Sequence, residues 1–453
     1  MTRRPERLAA APRAAIVLAV AVLALVLAAF TARVPAHASV EIQEVRSPSG
    51  VTAWLVEDHT LPLVTIRFAF KGGSTQDPVG KEGLANLMAG LFDEGAGDLD
   101  ADAYQERLDE VGAEMRFTAT RDTVFGSMRT LADTREDAFG LLALAIGRPR
   151  FDQAPIDRIR SQIVAGIEAE ARDPSTRAEV AWSEAVYGDH PYARRDNGLP
   201  ETLATITQSD IKAFHGRTFA RDNLVVAIVG SIDAETANRE LDRLFGSLPE
   251  KADMIPVSRV EPKLDQQIRV DFPLPQTRLR LAYPGVKRSD PDFMATYLMN
   301  HILGGGTFTS RLFRSVREQR GLAYGINSSL VNRDYVSELL IGTSTRSDRA
   351  AETLSVIKEE IRRMATEGPS EQELIDAKRF VIGAYAINNL DSSTAIAGTL
   401  VGIQQENLGI DYIARRQAEI EAVTLEAVKA AAARLLVFEP AVMVLGPAGP
   451  GGG

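Results

Sequence analysis

Apolar side chains at Leu84, Leu87, Met88 and Leu91 recur at i, i+3, i+4 and i+7. That spacing lines one helix face and predicts a buried helical segment directly after Gly83. Short apolar runs at residues 51–56 and 63–70, rich in Val, Ile, Phe and Trp, predict strands. A second pair of such runs occupies residues 268–272 and 277–283. Helical patterns follow in both halves, including residues 350–364 and 370–387. Strands and helices that do not alternate strictly point to an α+β fold built on antiparallel sheets.

The pattern repeats once, at an offset of about 215 residues, which marks a duplicated domain and not a solenoid. Residues 137–142 match 350–354, residues 206–212 match 423–429, and the apolar run 224–230 matches 441–446. Pro249, Pro256 and Pro262, with charges between them, mark a linker. The expected organisation is a domain over 39–247, a linker over 248–264, a second domain over 265–446 and a disordered Gly/Pro tail over 447–453.

A chain of 453 residues exceeds what one compact core serves. The net charge of −10 speaks against a basic nucleic-acid footprint. The absence of cysteine excludes disulfides, thiolate metal sites and cysteine nucleophiles. Arg3, Arg4, Arg7 and Arg13 precede an apolar run over residues 14–30, and Ala36-His37-Ala38 fits a small-x-small cleavage site. Residues 1–38 therefore read as an export signal, with Ser39 as the first mature residue. The 17-residue run also allows an uncleaved membrane anchor. Either way the body is expected outside the cytoplasm, in a bacterium the periplasm. Without the signal, 46 basic residues face 60 acidic ones, a net charge of −14.

Three stretches carry a family resemblance. They are Gly83-Leu84-Ala85 at the head of the first helix, His190-Pro191-Tyr192, and a run from Leu303 through Gly304, Gly305, Gly306 and Arg311 to Arg317, Gly321 and Tyr324. On these residues the chain resembles the insulinase/pitrilysin-type zinc peptidases, in particular the short two-domain group of the mitochondrial processing peptidase and its bacterial counterparts. The resemblance extends from Val40 to Gly446. It implies two similar α+β domains forming a clam-like half-shell, and in the short group two such chains enclose a chamber.

That family cleaves peptides with a zinc-bound water. Two His and a distant Glu hold the metal, and the Glu inside a His-x-x-Glu-His helix acts as base. By the resemblance Asn86 stands at the first His, Ala89 at the base and Gly90 at the second His. An amide oxygen is a poor zinc ligand, and Ala and Gly offer no donor. The third ligand falls near residues 166–168, where Glu168 alone cannot hold zinc. Five histidines exist, His37, His59, His190, His215 and His301, and the first leaves with the signal. No two of the others are close enough in sequence to share a helix face. The expectation is a chain without its own cofactor, in which the motif helix has become core scaffold. A zinc site built from distant histidines, in a self-sufficient peptidase, is the opposing reading, and the zinc content of the purified chain decides between them.

Arg317 and Tyr324 keep the spacing of the family's substrate-binding pair. The local pattern predicts a helix that stops at Gly321 and a strand that begins at Tyr324. By the resemblance the pair hydrogen-bonds the substrate carbonyl and the oxyanion that develops from it. Spacing alone favours a solvated Arg beside a half-buried Tyr; the family run in register around the pair favours the substrate-binding role. Gly304, Gly305 and Gly306 read either as a flexible turn or as a chamber loop touching substrate; no Lys-Ser/Thr follows, which excludes a phosphate loop. Residues 115–121 alternate like a strand. The resemblance makes it the sheet edge that pairs with an extended substrate; the pattern alone also fits an internal strand.

The expected function is a non-catalytic, substrate-binding subunit of a heterodimeric periplasmic zinc peptidase. The expected partner is a homologous chain that carries the zinc, and neither nucleotide nor nucleic acid is expected. The alternative is an inactive peptide-binding or scaffold protein of the same fold.

Overall fold

The structure is a computed structural model describing residues 40–448. Residues 1–39, which hold the expected export signal, and the end of the tail, from residue 449, lie outside the described residues. Strands β1 (Gln43–Arg46), β2 (Thr52–Glu57), β3 (Leu63–Lys71), β4 (Glu114–Ala119), β5 (Thr123–Leu131) and β6 (Leu224–Gly230) form one sheet in the order β1-β2-β6-β3-β5-β4. Strands β7 (Gln267–Asp271), β8 (Gln276–Pro284), β9 (Ala323–Asn332), β10 (Ser337–Arg346) and β11 (Ala441–Gly446) form a second in the order β7-β11-β8-β10-β9. With β1 set aside, the two orders are the same.

The architecture is mixed α+β, and one detail departs from the sequence expectation. Each sheet contains one parallel pair, β2 with β6 and β7 with β11. The remaining pairs are antiparallel. The last strand of each sheet returns only after a long excursion through helices, the kind of connection a parallel pair requires.

The helices that position the site are α1 (Leu84–Ala89), α2 (Arg135–Gly147), α3 (Gln153–Glu170), α4 (Pro174–Tyr187), α5 (Gln208–Thr218), α6 (Phe293–Asn300), α7 (Ala350–Glu367), α8 (Glu371–Asn389), α9 (Ser393–Gln405) and α10 (Leu425–Leu435). The repeated stretches fall at matching places: α2 with α7, α5 with α10, and β6 with β11. Helix starts follow local chemistry. Thr207, Ser370 and Thr424 each accept a bond from the backbone N–H three residues on, which satisfies a donor the helix cannot.

Strand β3 is buried on both faces, with Val64, Ile66, Phe68 and Phe70 alternating with buried Thr65 and Ala69. The second face is covered by a helix from the other half of the chain. Helix α9 lies on β3 and β6. There Gln404 donates to the Val226 carbonyl at 2.9 Å, and Ser393 meets Thr65 at 3.1 Å. The exchange is reciprocal. Helix α4 lies on β7 and β11, where Trp182, 1% exposed, packs with Val270, Ala282, Ala441, Met443 and Leu445. A polar seam joins the halves as well. The Tyr192 hydroxyl donates to Asp122 at 2.6 Å and accepts from the Tyr335 backbone N–H at 3.2 Å. Burial pushes the Asp122 carboxyl up to about 6, against the Tyr192 bond, which favours the charged form.

Candidate functional site

Leu84, Leu87, Met88 and Leu91 are all buried, as their spacing predicts. Helix α1 is short because its start and its end are fixed by neighbours. Gly83, at φ +96°, turns the chain into the helix. The Asp77 carboxylate accepts from the Gly83 and Ala85 backbone N–H groups, both at 2.9 Å, and closes the open end. Burial pushes Asp77 up to about 7, opposed by those two bonds and by Arg194.

The three degenerate positions are occupied by packing. Asn86 donates to the Asn197 side chain at 2.5 Å. Ala89 is buried. At Gly90 an added Cβ would stand 3.0 Å from Cγ2 of Ile159 on α3, so any side chain there presses on that helix. Glu168 is exposed on α3. Nearer the start of α3, Arg158 pairs with Glu94, five residues beyond α1. Among the described residues no three His, Asp or Glu side chains come together as a metal-holding group. The triple variant Asn86→His, Ala89→Glu, Gly90→His is expected to lose about 1–3 kcal/mol of stability through overpacking against Ile159. Urea unfolding checks this, and an unchanged midpoint would show that room for the ligands remains.

The four described histidines each have local work. Nδ1 of His190 accepts from the Tyr192 N–H at 3.1 Å, and Nε2 meets the Ser258 carbonyl at 2.9 Å, which fixes the proton on Nε2. His215 meets the Ile146 carbonyl at 2.9 Å, and burial lowers it to about 4. His301 stacks on Phe380, with ring centroids 5.0 Å apart, and burial lowers it as well. His59 pairs with the Ser231 hydroxyl at 2.9 Å on the surface.

Arg317 and Tyr324 are brought together. The guanidinium of Arg317 lies 4.6 Å from the Tyr324 ring centroid and 4.8 Å from that of Phe313. Tyr324 is 85% exposed. Its presentation has a backbone cause. Pairing between β10 and β9 shifts between Thr343, opposite Ile326, and Thr345, opposite Ala323. Tyr324 and Gly325 therefore both face Ser344, a bulge that breaks the alternation and leaves both residues exposed. The chain reaches this strand through Gly321, at φ +59°, after a wide helical turn over Phe313–Glu318.

Gly304, Gly305 and Gly306 were expected between helices, as a loop. They instead continue α6, through a wide turn over His301–Gly305. Gly304 is a packing glycine, since a Cβ would stand 2.5 Å from the Ser328 hydroxyl on β9. Gly306 is buried against His301, and Gly305 alone of the three is exposed. Arg311 anchors the segment with a forked pair of bonds to Glu373, both 2.7 Å, and a third to the Gly368 carbonyl at 3.0 Å. Two aromatic residues escaped the sequence reading. Phe308, 68% exposed, meets Phe313 edge-on at 5.1 Å, and Phe313 underlies Arg317. The helical i, i+4 spacing of Phe313 and Arg317 is the signal that could have found the second contact.

Residues 115–121 do form an edge. Strand β4 ends the first sheet, with Met115, Phe117 and Ala119 against the core and Glu114, Arg116 and Thr118 exposed. Helix α1 packs beside it.

Comparison with known proteins gives a consistent answer. Residues 52–195 match the family described as Insulinase (Peptidase family M16), and residues 205–381 match the Peptidase M16 inactive domain. A protein of Helicobacter pylori described as a non-peptidase homolog, YmxG, is 26% identical over 352 residues, covering 76% of this chain and 79% of that one. The crystal structure of a peptidase M16 inactive domain from Pseudomonas fluorescens is 32% identical, with a TM-score of 0.84 over 90% of this chain and 98% of that one. The periplasmic protease PqqL of Escherichia coli shares the fold at 18% identity, with a TM-score of 0.77 over 90% of this chain but 45% of its own.

Proposed function

The chain belongs to the insulinase peptidases, family M16, as an inactive member, and from that premise we propose that it is the substrate-binding subunit of a heterodimeric zinc peptidase. The observation that carries this reading is the uneven loss of chemistry. The positions of the metal ligands and base are filled by packing, while Arg317 and Tyr324 stand side by side at an exposed bulge. Among the described residues Arg317 has no ion-pair partner within 4.0 Å. A guanidinium and a phenol held at a surface, with no internal partner for the cation, suit negative charge that arrives with another molecule.

In this reading a homologous partner with an intact motif supplies zinc, whose Lewis acidity and bound water do the hydrolysis. This chain orients the peptide and offers Arg317 and Tyr324 to the carbonyl oxygen as it gains charge. Gly305 and the β4 edge are further surfaces open to an extended peptide. PqqL lends support at the level of fold, because that polypeptide has room for a second body of this size. Residues 1–38 direct export, by a cleaved signal or a retained anchor, and the two subunits meet in the periplasm.

Mixing this chain with its zinc-bearing partner is expected to give peptide cleavage that neither shows alone. Full activity of the partner by itself defeats the reading. Peptide binding by this chain with no partner-dependent cleavage identifies a peptide-holding protein of the same fold instead.

A further inference from the structure

We propose that the sheet face beside Tyr324 is a subsite for a carboxylate of the bound peptide. The inference rests on the reading of the chain as a peptide-binding subunit and names the kind of peptide it selects. Two rows cross the sheet there. Arg280 lies opposite Gly342, which lies opposite Asn327. Two residues along the strands, on the same face, Arg278 lies opposite Ser344, which faces the bulge at Tyr324 and Gly325. At the usual strand spacing the backbones of Arg278 and Tyr324 are about 10 Å apart, a span that one side chain of a bound peptide can enter.

An open cavity of about 620 Å³ occupies this face, with Arg278, Arg280, Tyr324, Asn327, Gly342 and Ser344 in its lining. Its floor is bare. A Cβ on Gly342 would find only the Asn327 side-chain oxygen, at 3.7 Å. No Asp or Glu lines it. Both arginines are steadied from the side by α4 and its cap. Arg280 pairs with Glu179 at 2.5 Å and lies over the Trp182 ring at 5.4 Å. Arg278 donates to the Ser175 hydroxyl, which itself donates to Asp173 at 2.7 Å. Each thus uses one terminal nitrogen, and the other N–H groups of both have no protein acceptor among the described residues. Arg317 is not in the lining but lies 4.6 Å from the centroid of the Tyr324 ring, which is.

This arrangement is selective in a chain whose net charge is −10. A planar guanidinium fork already held in place matches a carboxylate and repels lysine or arginine. The carboxylate can come from an Asp or Glu side chain or from the peptide's C-terminus.

Fluorescence anisotropy of the full chain with a fluorescein-labelled Ala/Ser/Gly decapeptide separates these cases. The peptide carries Asp, Asn or Lys at one scanned position, with its C-terminus free or amidated. Asp is expected to bind roughly fivefold more tightly than Asn, the upper end for a partly exposed ion pair. Arg278→Gln should erase that difference while leaving the Asn peptide unaffected. Gly342→Leu, whose Cβ would meet nothing closer than 3.7 Å, should weaken the Asp peptide by a similar factor. If amidation and not Asp→Asn causes the loss, the carboxylate is the terminal one. Equal affinity for Asp, Asn, Lys and amidated peptides, with binding still lost in Tyr324→Ala, overturns the subsite and leaves the peptide-binding role standing. No binding of any peptide removes both.

Discussion

Arg317→Ala, assayed in the complex with the zinc-bearing partner, is expected to lower the turnover of peptide by about 100- to 1,000-fold, the usual loss for one oxyanion donor. The size follows from how the group is held. Arg317 rests between the rings of Phe313 and Tyr324, at 4.8 and 4.6 Å, so its orientation is set before substrate arrives. A cation placed in advance needs no reorganisation when the carbonyl oxygen acquires charge. Because the contact strengthens as the charge develops, kcat should fall far more than peptide affinity. Arg317→Lys should recover only part of the rate, since an ammonium keeps the charge but loses the planar fork and its stacking. Tyr324→Phe should cost less than Arg317→Ala, because the ring that supports the guanidinium remains. Unchanged turnover in Arg317→Ala would remove the main support for the proposed role.

Trp182→Ala is expected to destabilise the protein by about 3–5 kcal/mol, the range for emptying a large aromatic site in a core. Trp182 is the largest side chain that α4 contributes to the second sheet, buried among Val270, Ala282, Ala441, Met443 and Leu445. Its ring also carries Arg280. The cavity cannot close easily, because α4 is fixed nearby: Tyr187, further along the same helix, donates to buried Glu338 at 2.7 Å. Chemical denaturation followed by far-ultraviolet circular dichroism measures the cost. A loss under 1 kcal/mol would mean that the helix is a loose appendage of the second sheet. Since α4 comes from the first half of the chain, both halves should unfold together at the lowered midpoint.

Much of the fold is legible in the residues, and the limits have physical causes. The apolar face of α1 and the runs that become β2, β3, β7 and β8 are local patterns, and local patterns survive in one dimension. The three repeated stretches are legible for the same reason, since α2 and α7, α5 and α10, and β6 and β11 kept similar apolar spacing. The parallel pairs were not legible. Nothing near Thr52 or Leu224 says that two strands so far apart will meet. The exchange of α4 and α9 was equally hidden, because Trp182 looks like any core residue, whichever sheet it covers.

At the site, residue types are legible in the sequence and their presentation is not. Asn86, Ala89 and Gly90 mark a lost metal site only through the family resemblance, which sets them where two ligands and the base would stand. That Gly90 now sits against Ile159 is a packing fact that no motif contains. Arg317 and Tyr324 stand out through the family run around them, but the bulge that exposes Tyr324 depends on a register shift across β10. Glycines 304–306 read from the sequence as a flexible turn or as a chamber loop touching substrate. Gly304 is there because Ser328 on β9 leaves no space for a methyl group.

A duplicated protein ordinarily keeps the freedom to discard one copy once that copy has no chemistry left. This one gave that freedom away. Helix α9 roofs the first sheet and α4 roofs the second, so cutting the gene between the copies would strip each product of a wall and bare the apolar strands beneath. Natural selection can blunt the metal helix residue by residue, but deleting the half that bears it would also take α4 away from the second sheet and from Arg278 and Arg280.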